Sequence, residues 1–299
     1  MSVQQSRNIQ WYPGHMTRTM RRIEKMLPQV NAVVQILDAR IPASSLNPAL
    51  QSLYGEKPRL YVLNKADLAD EVATKQWVQA FKTDASLCVA ANSKQRGAAS
   101  QAAKTVNAAL AELLERRKEK GMIGARTRIM VTGIPNAGKS TFINNWAGAA
   151  RTKTGDKPGV TRGEQWVTAG EYELLDMPGV LWNKFETMET AVNMALIGSI
   201  PDYLLDVQEI AAGILQQLAG HYSARLYERF KLTPEELTES DGWVLLEKVG
   251  RRRGMLISGG EIDMERAASV VLDEFRGGKL GRISLEYPQA EVNEDENNQ

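Results

Sequence analysis

Cysteine is nearly absent from this 299-residue chain: Cys88 stands alone, which excludes a disulfide framework and a cysteine metal cluster. A reducing cytosol is the compartment that fits. Long apolar runs are missing as well. None approaches the ~20 residues that a membrane span needs, and Met1–Gln10 is polar, without the apolar stretch that directs secretion. The expectation is a soluble protein with no membrane partner. Net charge is close to nil, +1 from 37 Lys and Arg against 36 Asp and Glu, so nothing pulls the whole chain toward DNA, RNA or lipid, and any nucleic-acid contact must come from local patches. Internal repeats are not seen.

What is present reads as an α/β protein with a second, helical unit. Apolar runs at Ala32–Asp38, Leu60–Asn64, Leu87–Ala91, Arg128–Gly133, Gln165–Ala169 and Tyr172–Asp176 have strand length and alternate with helical patterns, the signature of a mostly parallel sheet. From about Asn183 the strand pattern stops and amphipathic segments follow at Glu186–Ile197, Val207–His221, Ala224–Phe230, Asp241–Val249 and Asp263–Phe275. Thr233-Pro-Glu-Glu236 is a capping box with proline at the first helical position. The expected layout is a basic N-terminal arm and helix over 1–30, an α/β domain over 31–182, an all-α domain over 183–285, and a polar, disordered tail over 286–299.

Three motifs carry chemistry. Gly133-Ile-Pro-Asn-Ala-Gly-Lys-Ser140 follows a strand and opens a helix, the setting of a phosphate loop. The stretch Pro135, Asn136, Ala137, Gly138, Lys139, Ser140 and Thr141 forms the cradle, with Lys139 reaching the β and γ phosphates and the Ser140 hydroxyl holding Mg²⁺. Asp176-Met-Pro-Gly179 ends another strand. Its carboxylate can hold Mg²⁺ through water, and the Gly179 N–H can meet the γ phosphate. Between these two motifs lies Lys157-Pro-Gly-Val-Thr161, where Thr161 supplies a second hydroxyl to Mg²⁺. The third motif is Asn64-Lys-Ala-Asp67. The Asp67 carboxylate only accepts hydrogen bonds, so it suits the ring N–H and amino group of guanine. Asn64 bridges to the neighbouring loop and the Lys65 stem lies over the base. Asn92 and Ser93, after the strand Leu87–Ala91, close the base pocket from the other side.

In most GTPases the phosphate loop comes first and the base-reading element last, whereas here residues 64–67 precede 133–140. The reading is a circularly permuted P-loop GTPase domain followed by a smaller all-α domain, with GTP or GDP as ligand. The order matters little to the site, because every motif sits on a loop at one edge of the sheet.

With these motifs in hand, the chain resembles the ribosome biogenesis GTPase A (YlqF-type) family over essentially its whole length. The most specific matches are Gln10-Trp-Tyr-Pro-Gly-His-Met16, Asp38-Ala-Arg-Ile-Pro-Ala-Ser44 through Asn47-Pro48, and Ser258-Gly-Gly260. The resemblance implies a cytoplasmic GTP-hydrolysing factor for late assembly of the large ribosomal subunit. It also implies a C-terminal helical domain touching ribosomal RNA, no DNA partner, and a monomer off the ribosome. In GTPases similar to this one an Asn placed like Asn136 helps hold K⁺ beside the phosphates. Val180, Leu181 and Trp182, which follow Gly179, cannot orient a water by hydrogen bonding, and the family's counterpart of His15 is assigned to catalysis. His15 therefore joins Lys139 and Thr161 as a catalytic candidate.

Two local charge patterns remain. Arg18, Arg21, Arg22 and Lys25 share a helical face that could follow an RNA backbone, and Gly250-Arg-Arg-Arg-Gly254 is a second basic point. Across Asn183–Arg282, 12 Lys and Arg meet 16 Asp and Glu, so RNA contact by the helical domain leans on the resemblance more than on charge. Two rival readings stand beside the first. A small-subunit factor of the permuted class would carry a cysteine-rich zinc site, which one cysteine excludes. A non-enzymatic RNA-binding protein with a vestigial pocket conflicts with intact Asp67, Lys139, Ser140, Thr161 and Asp176.

Overall fold

The computed structural model describes residues 14–92, 104–112, 115, 127–148, 165–170 and 172–288. Ser93 and Thr161 lie outside the described residues. His15 is the second residue of the first helix, and its side chain is outside them too.

Six strands form one sheet: β1 (Ala32–Asp38), β2 (Arg59–Asn64), β3 (Ser86–Ala90), β4 (Thr127–Gly133), β5 (Gln165–Ala169) and β6 (Tyr172–Asp176), in the order β3-β2-β1-β4-β6-β5. All neighbours are parallel except β5 and β6. β1 is buried at every residue, which explains why it is apolar but for Gln35 and the terminal Asp38: a central parallel strand is covered on both faces. Its helices are α1 (Gly14–Met26), α2 (Pro48–Tyr54), α3 (Glu71–Ala80), α4 (104–112) and α5 (Lys139–Trp146). Side-chain caps start two of these: the Asn47 oxygen accepts from the Ala49 and Leu50 N–H groups, and Asp70 accepts from Ala73.

Strand order sets where a ligand can sit. The chain runs from β1 outward through β2 to β3, then returns to the other side of β1 for β4 and β6. A parallel sheet has its crevice at such a reversal, beyond the carboxyl ends of the strands. The register brings Asp38 level with Asn64, Ile36 with Gly133, and Val131 with Asp176. The ends of β1, β2, β4 and β6 thus open on one edge.

The helical unit holds α6 (Met188–Leu196), α7 (Val207–His221), α8 (Ser223–Phe230), α9 (Pro234–Glu239), α10 (Gly242–Arg252) and α11 (Met264–Arg276). α7 is central and buries Ile210, Ala211, Ile214, Leu215 and Leu218. The expected capping box is present: Thr233 N–H donates to Glu236 Oε2 at 2.8 Å and Glu236 N–H to Thr233 Oγ1 at 3.4 Å. One apolar core runs through both units, from Ile23 and Val33 to Leu215 and Phe275.

Beyond α11 the chain turns back across the sheet edge. Ile283 N–H donates to the Leu68 carbonyl at 2.8 Å and Leu285 N–H to the Arg40 carbonyl at 2.9 Å. Trp77 Nε1 donates to the Glu286 carbonyl at 3.1 Å. The Glu286 carboxylate accepts from Ala43 N–H at 2.7 Å, Asn193 Nδ2 at 3.0 Å and the Ser44 hydroxyl. Burial pushes the Glu286 carboxyl above its ordinary value, and these donors oppose that rise. The tail boundary drawn at 286 from polarity therefore falls inside the packed chain, because the polar residue there is matched by donors from distant segments. Among the described residues no helix is long and apolar enough to cross a membrane.

Candidate functional site

The loop from β4 to α5 is shaped by two glycines. A Cβ on Gly133 would come within 2.6 Å of the Ile36 carbonyl oxygen on β1, and one on Gly138, at φ +85°, within 2.4 Å of Asn64 Nδ2. Only glycine permits both close approaches. Lys139 and Ser140 then open α5, so the positive end of the helix lies at the carboxyl end of β4.

The Asn64–Asp67 segment is bound to this loop from the end of β2. Asn64 Nδ2 donates to the Ala137 carbonyl at 2.7 Å, and Lys65 Nζ donates to the Asn136 carbonyl at 2.6 Å. Lys65 and Asn136 both have left-handed backbones, at φ 59° and 60°. Such conformations cost about 1–3 kcal/mol each, while a hydrogen bond from a charged donor is worth about 1.5–3 kcal/mol. The Lys65–Asn136 contact therefore offsets part of the strain in the two turns it joins. Asp67 is partly buried. Its backbone carbonyl takes a hydrogen bond from Arg282 Nε at 3.4 Å, and its carboxylate has no hydrogen-bond partner among the described residues. Asn92, also partly buried, follows β3 beside this segment, where Ala66 N–H donates to the Ala91 carbonyl at 3.0 Å.

At the other side of the loop, Lys139 Nζ donates to Asp176 Oδ1, and both side chains are buried. Burial lowers the Lys139 pKa and raises that of Asp176, each ion opposing the shift of the other. The second Asp176 oxygen, Oδ2, is buried without a hydrogen-bond partner. A buried carboxylate oxygen left unsatisfied is costly unless a cation or water meets it. Gly179 lies against Pro135, and Val180 N–H donates to the Gly133 carbonyl at 3.1 Å. The segment after β6 is thus packed on the phosphate loop.

Two groups of residues take roles that the sequence did not assign them. Asp38, at the end of β1, is fully buried and pairs with Arg40 at 2.8 Å and Lys65 at 3.0 Å. Burial alone would raise its pKa, but the two cations override that and hold it well below the carboxylate range. Arg40 continues to the Phe275 carbonyl of α11 at 3.3 Å and lies over the Phe275 ring. The signal available in the sequence was an Asp-Ala-Arg step at the end of a strand that is apolar but for Gln35. The second group is the turn after α6. Asn136 Nδ2 donates to the Gly198 carbonyl at 2.6 Å and Ser199 Oγ to the Pro135 carbonyl at 2.6 Å. Arg276 secures that turn by donating to the Leu196 and Ala195 carbonyls and by pairing with Asp202. No local pattern around Ser199 announces this.

Known proteins with the same features give the arrangement a family. Residues 128–227 match the family model described as 50S ribosome-binding GTPase. That span starts at β4 and leaves Asn64–Asp67 upstream of it, as a permuted order requires. The chain is 40% identical to "Ribosome biogenesis GTPase A" of Bacillus cereus over 94% of each protein. It is 32% identical to "Mitochondrial ribosome-associated GTPase 1" of Mus musculus, over 92% of this chain and 89% of that one. Among solved structures, GNP-bound YlqF from T. maritima superposes with a TM-score of 0.61 at 28% identity, covering 91% of this chain and 99% of that chain. A GDP-bound YlqF structure gives 0.62. A permuted sheet with its guanine-type loop bonded to its phosphate loop, and full-length similarity of this degree, have one reading: the chain belongs to the ribosome biogenesis GTPase A family, binds guanine nucleotide, hydrolyses GTP and acts in ribosome biogenesis.

Proposed function

We propose that this protein is a cytoplasmic factor in late assembly of the large ribosomal subunit, contacting its RNA and using GTP to time its stay. The observation that carries the reading is the direct bonding of the Asn64–Lys65 turn to the phosphate loop, which ties base recognition to phosphate recognition in one rigid edge. The names of the relatives supply the ribosomal setting. Sedimentation of cell extract with GDP, GTP or a non-hydrolysable analogue tests it. The protein should travel with large-subunit precursors in a nucleotide-dependent way, and travel with small-subunit particles alone would overturn the reading.

Within the site, Asp67 reads guanine while Asn64, Lys65, Asn92 and Ser93 frame the base. Lys139 exchanges Asp176 for the β and γ phosphates, and the backbone from Pro135 to Thr141 surrounds them. The donor set fits Mg²⁺, which takes few protein oxygens and keeps water and phosphate as its other ligands. Ser140 and Thr161 offer hydroxyls, and the unsatisfied Asp176 Oδ2 offers a carboxylate oxygen. A bound Mg²⁺ would neutralise phosphate charge. Lys139→Ala or Ser140→Ala should lower GTP turnover by about 10²-fold or more with helical circular dichroism retained. A loss of that signal in both variants would argue that they serve the fold instead.

Asn136 is the candidate K⁺ ligand. With Nδ2 committed to Gly198, the amide oxygen is the atom a monovalent cation would take. K⁺ should then raise turnover over Na⁺ on the order of tenfold, and equal rates in the two salts would remove this role. The same amide links the phosphate loop to the helical unit, so the nucleotide should bias how the two dock.

A further inference from the structure

We propose that α1 carries an RNA-docking face of its own, formed by Arg18, Arg21, Arg22 and Lys25 and suited to the phosphate backbone of an RNA helix. The proposal rests on the ribosomal reading above and gives its RNA contact a place outside the all-α domain.

Positions 18, 21, 22 and 25 recur at helical spacing and form one face. All four are exposed, and none has an acidic partner among the described residues. The opposite face buries Met16, Thr19 and Ile23 in the core, so the four cations stand on a helix fixed to the GTPase domain and span about 10 Å of its axis. Like charges three and four residues apart cost a few tenths of a kcal/mol per pair. Folding alone does not favour this arrangement, but an anionic partner does.

The basic point in the helical domain is different. Arg251 pairs with Glu247, Arg252 and Lys248 with Glu236, and Arg253 and Arg229 with Glu274. Those cations would have to give up protein carboxylates to hold phosphate. Among the described residues the α1 cations have none to give up.

The chemistry selects RNA over other anionic surfaces. A membrane-lying helix inserts its apolar face, and that face is consumed here by the core. A protein interface of useful affinity needs buried aromatic or aliphatic anchors, and α1 exposes no large apolar side chain among its described residues. Three guanidiniums and an ammonium with no apolar centre match phosphate oxygens. Because His15 is the second residue of the same helix, RNA held along α1 also fixes the segment that carries it.

The test is filter binding of an RNA hairpin by the full chain across a salt series, comparing wild type with Arg18→Gln/Arg21→Gln/Arg22→Gln/Lys25→Gln. Glutamine keeps helix propensity. The variant should bind at least about 100-fold more weakly at low salt, and the slope of log affinity against log salt should shrink by about one per lost phosphate contact. Its RNA-free GTP turnover should match wild type. Replacing only the three arginines by lysine should restore most of the slope. An unchanged slope and affinity in the glutamine variant overturns the proposal, as does wild-type binding to phosphatidylglycerol vesicles but not to the hairpin. The ribosomal reading fails separately: hairpin binding through α1 without sedimentation on ribosomal particles would keep this proposal and remove that one.

Discussion

Exchanging Asp67 for Asn is expected to weaken GTP binding by on the order of 10³-fold or more and to make xanthosine triphosphate the better ligand. Guanine presents a ring N–H and an amino group along one edge, both donors. A carboxylate accepts from both, whereas an Asn amide sets its own N–H₂ against one of them and leaves two donors opposed in a partly buried pocket. Xanthine carries a carbonyl where guanine has the amino group and so accepts from that N–H₂. The fold should tolerate the change, because the bond from Arg282 ends on the backbone carbonyl of Asp67 and not on its side chain. Equilibrium binding of GTP, ATP and XTP to both proteins measures the effect. Comparable GTP affinity in the two, with no gain for XTP, would show that Asp67 does not read the base.

His15→Ala should leave GTP affinity intact while reducing ribosome-stimulated turnover by about 10²- to 10⁴-fold, the range of a lost proton-transfer or water-positioning group. The case for His15 is partly by elimination. Val180 and Leu181, which follow Gly179, have no hydrogen-bonding side chain, and the Trp182 indole N–H can only donate, so none of the three can accept a proton from the attacking water. An imidazole can accept from or donate to the attacking water at neutral pH. His15 is the second residue of α1, the helix whose exposed face is proposed to lie on RNA, so its effect should depend on the particle. Single-turnover hydrolysis with and without ribosomal particles separates the two states. Wild-type rates for His15→Ala in the presence of particles would dismiss it as catalytic.

The parts of this molecule that could be read from sequence are those whose cause is local. β1, β5, β6 and α7 fall on the residues their patterns indicate, since burial periodicity and caps are written within a few positions of each element. The phosphate loop and Asn64–Asp67 were equally legible, because fixed spacing is what their backbone geometry demands. The unread parts depend on partners far away. Asp38 looks like a strand end until Arg40, Lys65 and Phe275 meet around it. The Arg251–Arg253 run looks like a nucleic-acid patch until Glu236 and Glu274 arrive from other helices. Glu286 looks like the start of a solvated tail, yet its carboxylate joins Ala43, Ser44 and Asn193. Polarity along the chain gives a residue's chemistry but not whether distant donors will satisfy it.

The return of the chain over the sheet edge also bears on how this protein is made. Ala43 and Glu286 are 243 positions apart, and Ile283 supports the residue directly after Asp67. Contacts of such separation form last, because the loop they close is long and its entropy must be lost first. On a translating ribosome β2 and the Asn64–Asp67 turn emerge long before Ile283, so their final support comes late. The pocket thereby gains its last support only after α11 and the segment behind it have emerged, so a nascent chain that stops short of Ile283 should hold GTP more weakly than one that includes it.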